Sequence, residues 1–206
     1  DCGAEIHLGT GVKQLILDGR KVSGVELDNG EKVFADSVVI NADFAHAMTH
    51  LVPSESLKKY TKEKLDSMKF SCSTYMLHLG VDKLYDLPHH TIVFARDYKK
   101  NIDEIFKTNR KSNDISFYIR NASVTDPSLA PDGKSSIYIL VPTPNLDGDI
   151  DWDEAQASYR EMTFRAISDR LGIDDLEDHI EVEKAYTPKT WRVNSIFSRE
   201  RLSICP

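Results

Sequence analysis

The sequence predicts an α/β domain that carries an inserted region of mixed β-sheet and flanking helices. Three observations lead there. Residues 4–35 hold three short runs rich in Val, Leu and Ile, punctuated by Asp18-Gly19 and Asn29-Gly30. "DSVVI" at 36–40 then ends in a continuous apolar run, as a strand covered on both faces would. Beyond it, strand-like and helix-like segments succeed one another to about residue 190.

The elements follow in order. "GVKQLIL" at 11–17, "KVSGVEL" at 21–27 and "EKVFA" at 31–35 read as strands of an antiparallel meander. Asn29-Gly30 predicts a type I′ turn, because both central residues of that turn need positive φ. "DSVVI" predicts a buried parallel strand that runs directly into Asn41-Ala42-Asp43. Ligands of open α/β sheets sit at the carboxyl ends of strands. A small Ala there lets a ligand approach the backbone, and an Asn offers both a donor and an acceptor.

"FAHAMTHL" and "SESLKKYTKEKLDSM" read as helices, the second capped by Ser54 with Leu57, Tyr60 and Leu65 as its apolar side. Strands are expected at 72–81 and 91–95, and a helix over 97–109 with Ile102, Ile105 and Phe106 on one side. Two more strands, "DISFYIRN" and "SSIYILVPTP", flank a Pro- and Gly-containing loop. "DWDEAQASYREMTFRAISDRLG" is the clearest helix. Asp151 is its N-cap, and Ala155, Tyr159, Met162, Ala166 and Ile167 form its apolar stripe. Gly172 stands where the helix should end. "HIEVEKAYTPKTW" follows as a strand and a turn.

Composition narrows the function. At 206 residues, with 40% hydrophobic and 29% charged positions, the chain is long and apolar enough for a real core. A net charge of −7 argues against nucleic acid as a general partner. No run approaches the roughly 20 apolar residues of a membrane span. Cys2, Cys72 and Cys205 are odd in number and far apart, which suggests a reducing compartment and a cytoplasmic location. The first residues lack a signal-peptide pattern and enter a strand pattern almost at once, so an internal fragment is expected.

No catalytic constellation stands out. His46 and His50 share a helical face at i, i+4, but Ala47 stands where a zincin has its Glu, and no Cys pair or third ligand is nearby. No metal is expected. His89-His90 reads as a polar turn whose two rings point to opposite faces. Nucleophile-elbow, P-loop and G-x-G-x-x-G motifs are absent. Tyr75, Leu77, Leu79, Phe117 and Tyr118 suit either the lining of a greasy cavity or a core, and core is the better reading for most of them.

The segment "GAEIHLGTGVKQLILDGRKVSGVELDNGEKVFADSVVINADFAHAMTHLVP" resembles part of the phytoene desaturase family of flavoproteins, within the amine-oxidase-like FAD superfamily. "STYMLHLGVDKLYDLPHHTIVFARDYKKNIDEIF" is similar to the start of that family's substrate domain. "TDPSLAP.G" combined with "L.P.PNL" is the most specific match, and "HI..E..YTP..W...N" continues it. "SIFSRERLSICP" fits less well.

The resemblance implies the back part of an FAD-binding Rossmann-like domain over 1–45, a substrate-binding domain over 46–192, and a return to the FAD domain over 193–206. FAD is the implied cofactor, with Val12, Asn41, Ala42 and Asp43 beside it. Tyr75, Leu77, Leu79, Phe117 and Tyr118 are the implied substrate lining, and no catalytic acid or base is assigned. The implied substrate is a long, carotenoid-like polyene, and drawing it from lipid would bring the protein peripherally to a membrane. The family's two glycine-rich FAD motifs are not in these residues, so this piece alone should be inactive. The alternative is a non-catalytic module for an apolar ligand or partner, with a degenerate flavin site. A glycine loop upstream of Asp1 would separate the two. The oligomeric state is not indicated.

Overall fold

A computed structural model of the chain describes residues 3–194. Contacts divide it into two units, one reaching to Lys69 and the other starting at Phe70. The first unit thus extends past residue 45, where the sequence places the edge of the cofactor domain.

The first unit holds the meander. Strands β1 (Val12–Asp18), β2 (Lys21–Leu27) and β3 (Lys32–Phe34) pair antiparallel in that order. The second turn is not type I′. Only Gly30 has positive φ, at 86°, and its N–H donates to Leu27 O at 2.9 Å. Leu27 N also donates to Glu31 O at 2.8 Å, so the loop holds three residues, one more than a type I′ turn accommodates. The result is an ordinary turn followed by a left-handed glycine.

Residues 36–40 form no strand. A buried parallel strand is made by its neighbours, and none of the described segments pairs with this one. Val39 is 91% exposed as a consequence.

Helix α1 (Phe44–His46) passes directly into a π-helical turn, Ala47–Leu51, that packs on β1. The expected helix over 54–68 is broken. A 3₁₀ turn at Ser54–Ser56 is followed by an extended Leu57 and by the short α2 (Lys62–Asp66). Thr61 caps α2 in place of Ser54, its hydroxyl accepting from Lys64 N at 3.3 Å. Leu57, Tyr60 and Leu65 stand at i, i+3 and i+8, a spacing that one helical face would hold, yet the chain breaks at the extended Leu57 and restarts only after Thr61. Leu65 alone of the three is buried.

The second unit is a five-stranded sheet covered on one side. Its strands are β4 (Ser73–Val81), β5 (His90–Val93), β6 (Phe117–Asn121), β7 (Ser135–Thr143) and β8 (Ile180–Tyr186). They lie in the order β5-β6-β7-β4-β8. The sequence suggests a mixed sheet, but every described pairing is antiparallel.

Helix α3 (Tyr98–Phe106) follows β5, α4 (Trp152–Leu171) precedes β8, and α5 (Pro188–Asn194) follows it. Asp151 caps α4 by accepting from Asp153 N at 2.9 Å and from Glu154 N at 3.4 Å. Gly172 ends the helix at φ 68°, which favours a residue without Cβ.

Strand alternation sends Tyr75, Leu77 and Leu79 of β4, Phe117 and Ile119 of β6, and Ile137, Ile139 and Val141 of β7 to one face. There they join Tyr159, Met162, Ala166 and Ile167 of α4 in one core. Each large side chain enclosed this way is worth roughly 1.5–3 kcal/mol. Eight of these residues come from the strands and four from α4, so the sheet contributes most of the core.

Candidate functional site: the open face of the five-stranded sheet

The same alternation sends the other residues of each strand to the face that α4 does not cover. The registers align them in two rows. One row runs Ile92, Tyr118, Leu140, Met76, Tyr186 across all five strands. The next runs His90, Arg120, Tyr138, His78, Lys184. The first row is apolar and aromatic, and Ile92 at its β5 end is 64% exposed. The second carries cations and polar rings, with no carboxylate among its five members.

Rings bridge the two rows in a continuous band. His78 stacks on Tyr138 at 5.6 Å and meets Tyr186 edge-on at 5.5 Å. Tyr138 meets Tyr118 edge-on at 5.5 Å, and Tyr118 stacks on His90 at 5.9 Å. At the β8 end, Trp191 of α5 stacks on Tyr186 at 4.8 Å and donates its indole N–H to Thr74 O at 3.2 Å. Partial burial and the Lys184 ammonium lower the pKa of His78, so its imidazole is neutral at pH 7. Burial raises that of Tyr138, and so does neighbouring Tyr118.

The β5–β6 corner is fixed by hydrogen bonds. His90 Nδ1 lies 2.6 Å from the Tyr118 hydroxyl. His89 Nδ1 lies 2.7 Å from the Thr125 hydroxyl, and its Nε2 accepts from Arg120 Nε at 3.1 Å. The two adjacent imidazoles do not point apart, as the sequence suggests. Their centroids are 4.2 Å apart, because His89 precedes the strand and escapes its alternation.

The sequence-derived substrate residues divide between the faces. Tyr75, Leu77, Leu79 and Phe117 are enclosed in the α4 core, with Tyr75 at 0% exposure, and have no surface to offer a ligand. Tyr118 lies on the open face. The residues that sequence reasoning misses there, His78, Arg120, Tyr138 and Leu140, are those set between the most apolar ones. Period-2 alternation is the signal that would have found them.

In the first unit, Val12 opens β1 opposite Leu27 and is partly exposed. Asn41 and Ala42 are exposed. Asp43 is buried, and its carboxylate accepts from His46 N at 2.8 Å as the N-cap of α1. That cap accounts for a carboxylate directly after an apolar run. His46 and His50 stack at 4.3 Å, and His50 Nδ1 contacts His46 O at 3.1 Å. Among the described residues no three His, Cys, Asp or Glu side chains converge as a metal site would need.

The family model of the flavin containing amine oxidoreductases matches residues 2–201. The chain belongs to this family. Among its relatives, a 4,4'-diapophytoene desaturase (4,4'-diapolycopene-forming) of Methylomonas sp is 52% identical over 192 residues. That match covers 93% of this chain and 38% of the relative. An all-trans-zeta-carotene desaturase of Myxococcus xanthus is 38% identical, and the match covers 93% of this chain and 37% of the relative. A neurosporene-forming phytoene desaturase of Rhodobacter capsulatus is 34% identical, with 93% of this chain and 38% of the relative covered. The chain therefore spans about two fifths of the length of the curated relatives it matches.

Among solved structures, an oxidoreductase from Methanosarcina mazei matches 98% of this chain and 40% of its own. The TM-score is 0.57 at 16% identity. A Pyrococcus furiosus protein matches 86% of this chain and 36% of its own, with a TM-score of 0.53 at 14% identity. These two likenesses concern the fold alone. Membership of this family of flavin containing oxidoreductases implies a flavin cofactor. The segment 36–42 exposes Val39 and makes no strand pairing within the described residues.

Proposed function

We propose that the full-length protein is an FAD-dependent oxidoreductase that desaturates a long, carotenoid-like polyene of the phytoene or diapophytoene class. The observation that carries this reading is 52% identity to a diapophytoene desaturase across 93% of the chain. The open sheet face supports it. The row Ile92, Tyr118, Leu140, Met76, Tyr186 crosses four interstrand steps, roughly 19 Å at the spacing of paired strands. It offers an extended apolar ligand a straight, largely dispersive contact.

In this reading, residues 1–45 complete an FAD-binding domain, 46–192 bind substrate, and 193–206 begin the return to the FAD domain. Val12, Asn41 and Ala42 present backbone and small side chains toward the cofactor, and Asp43 anchors the following helix. FAD supplies the acceptor for the hydride that desaturation removes. The sheet supplies orientation and a water-poor surface. Tyr118 is the member of the sequence-derived lining that contacts substrate, and Tyr75, Leu77, Leu79 and Phe117 hold its strand neighbours in place from behind. No described helix is long and apolar enough to cross a membrane. Access to a lipid-dissolved polyene is by peripheral association.

A visible spectrum of the full-length protein, desalted after incubation with FAD, tests the cofactor. Flavin bands should remain with the protein. Incubation with phytoene or diapophytoene should then yield products with longer-wavelength polyene absorption. A protein that holds no flavin and converts neither polyene would overturn the proposal and favour a non-catalytic apolar-ligand module.

A further inference from the structure

The β5–β6 corner of the open face holds more positive charge than the desaturase reading uses. Arg120 orients its guanidinium through one bond, from Nε to His89 Nε2 at 3.1 Å. No described residue accepts from its two terminal nitrogens, and it forms no described ion pair. Arg96, Arg160, Arg165 and Arg170 all face carboxylates, whereas Arg120, like Arg20 and Arg110, is in no described ion pair; Arg120 differs from those two in being held by an imidazole. The groups around Arg120 are fixed in their turn. His89 is held by Thr125, and His90 by the Tyr118 hydroxyl. Since His89 Nε2 accepts from an arginine, the ring is neutral and carries its proton on Nδ1, toward Thr125. The corner is thus a planar donor fork flanked by two imidazoles and a phenol, all oriented by hydrogen bonds, with the guanidinium in no described ion pair.

We propose that Arg120, with His89 and His90, forms a binding site for an oxyanion of the phosphate or carboxylate class. The terminal nitrogens of Arg120 match the paired oxygens of such a group, and bidentate pairs of this type are among the strong, directional hydrogen bonds. His90, anchored through Nδ1, has its Nε2 left to act as a second donor. Burial, His90 and Arg120 all lower the pKa of His89, with no acid holding it up. An anion there would meet the Arg120 charge with neutral ring donors beside it.

Two sources carry this chemistry: the pyrophosphate of a bound dinucleotide, and a separate anionic ligand. This inference does not rest on the desaturase reading. The test is calorimetric titration of the full-length protein with inorganic pyrophosphate at constant ionic strength, flavin-free and after incubation with FAD. Saturable binding to flavin-free protein is expected, weakened at least about tenfold in R120Q and also weakened in H90Q. Both variants change exposed side chains, and unchanged circular-dichroism melts would show that they fold.

If FAD abolishes the binding, the site belongs to the dinucleotide. If binding survives in flavin-loaded protein, the site serves a separate anion. Absence of saturable binding to flavin-free protein, or wild-type affinity in R120Q, overturns the proposal. The flavin-free arm gives its answer even if the protein proves unable to hold FAD or to desaturate a polyene.

Discussion

The two faces of the five-stranded sheet are made from the same strands, and they do opposite things. The inner face of β7 presents Ile137, Ile139 and Val141 to α4, and all three are buried. The outer face presents Ser136, Tyr138, Leu140 and Pro142, none of them buried. One residue along the chain separates a side chain that holds the fold together from one that is free to recognise something. Apolar character alone therefore does not tell an outer face from a core. The most hydrophobic positions are spent on the core, and the surface is built from intermediate residues such as Tyr, His, Met and Leu.

The sharpest way to break the comparison is to truncate neighbours on opposite faces. Ile139→Ala removes a fully enclosed side chain between β6 and β4, and should cost about 2–5 kcal/mol of unfolding free energy. Leu140→Ala, one residue away, should cost less than about 1.5 kcal/mol, since its side chain is only half covered. Urea unfolding of the full-length protein reads both. Equal losses would mean that the outer face is also a packed interior.

The converse substitution tests function. Met76→Arg places a charge in the middle of the apolar row, beside Leu140 and Tyr186. It should raise the KM for a polyene at least about tenfold, because the arginine must lose water when the hydrocarbon covers it. The unfolding midpoint should move little. Unchanged kinetics would take the polyene off this face.

Much of this fold is legible in the sequence. The meander, every strand of the large sheet, and α4 with both of its caps follow from period, turn residues and capping chemistry. The failures have a common cause. Residues 36–40 have the composition of a buried strand, but strandness there depends on partners that no described residue supplies. The break between Ser54 and Thr61 gives no sign in the apolar spacing, and the cap bond falls to Thr61 rather than Ser54. Of the residues expected as substrate lining, Tyr118 lies on the outer face, while Tyr75, Leu77, Leu79 and Phe117 share its character and differ only in the face they occupy. That face is set by which side α4 takes, and the strand sequences do not state it. The contact of Arg120 with His89 was not legible at all, because His89 precedes its strand and Arg120 lies 31 residues downstream.

A smaller effect checks how firmly the inner face is held. Asp151→Ala removes both side-chain bonds at the start of α4 and should cost about 1 kcal/mol. The loss should appear as lower stability with unchanged KM, since α4 touches only the inner face. A change in KM would mean that the two faces are coupled through the sheet.

The smallest effect concerns a polar atom on the wrong side. Tyr75 lies in the core against Tyr159 at 5.6 Å, and its hydroxyl finds no partner among the described residues. Burial, more than the nearby Glu183 carboxylate, pushes the pKa of Tyr75 well above the ordinary value near 10. The folded protein therefore keeps this phenol neutral at a pH where the unfolded chain ionises it. The stability that follows is fully present below about pH 10 and is lost as pH rises further, because the unfolded state then releases a proton that the folded state retains. Tyr75→Phe removes both effects. At pH 7 it should be neutral or stabilising by less than about 1 kcal/mol, because it deletes an unpaired buried hydroxyl. At pH 10.5 it should retain about 0.8 kcal/mol that the parent loses through this residue. Urea midpoints of both proteins at the two pH values measure the difference. Equal alkaline losses would mean that the Tyr75 hydroxyl reaches water, and that the inner face is less closed than the outer face is open.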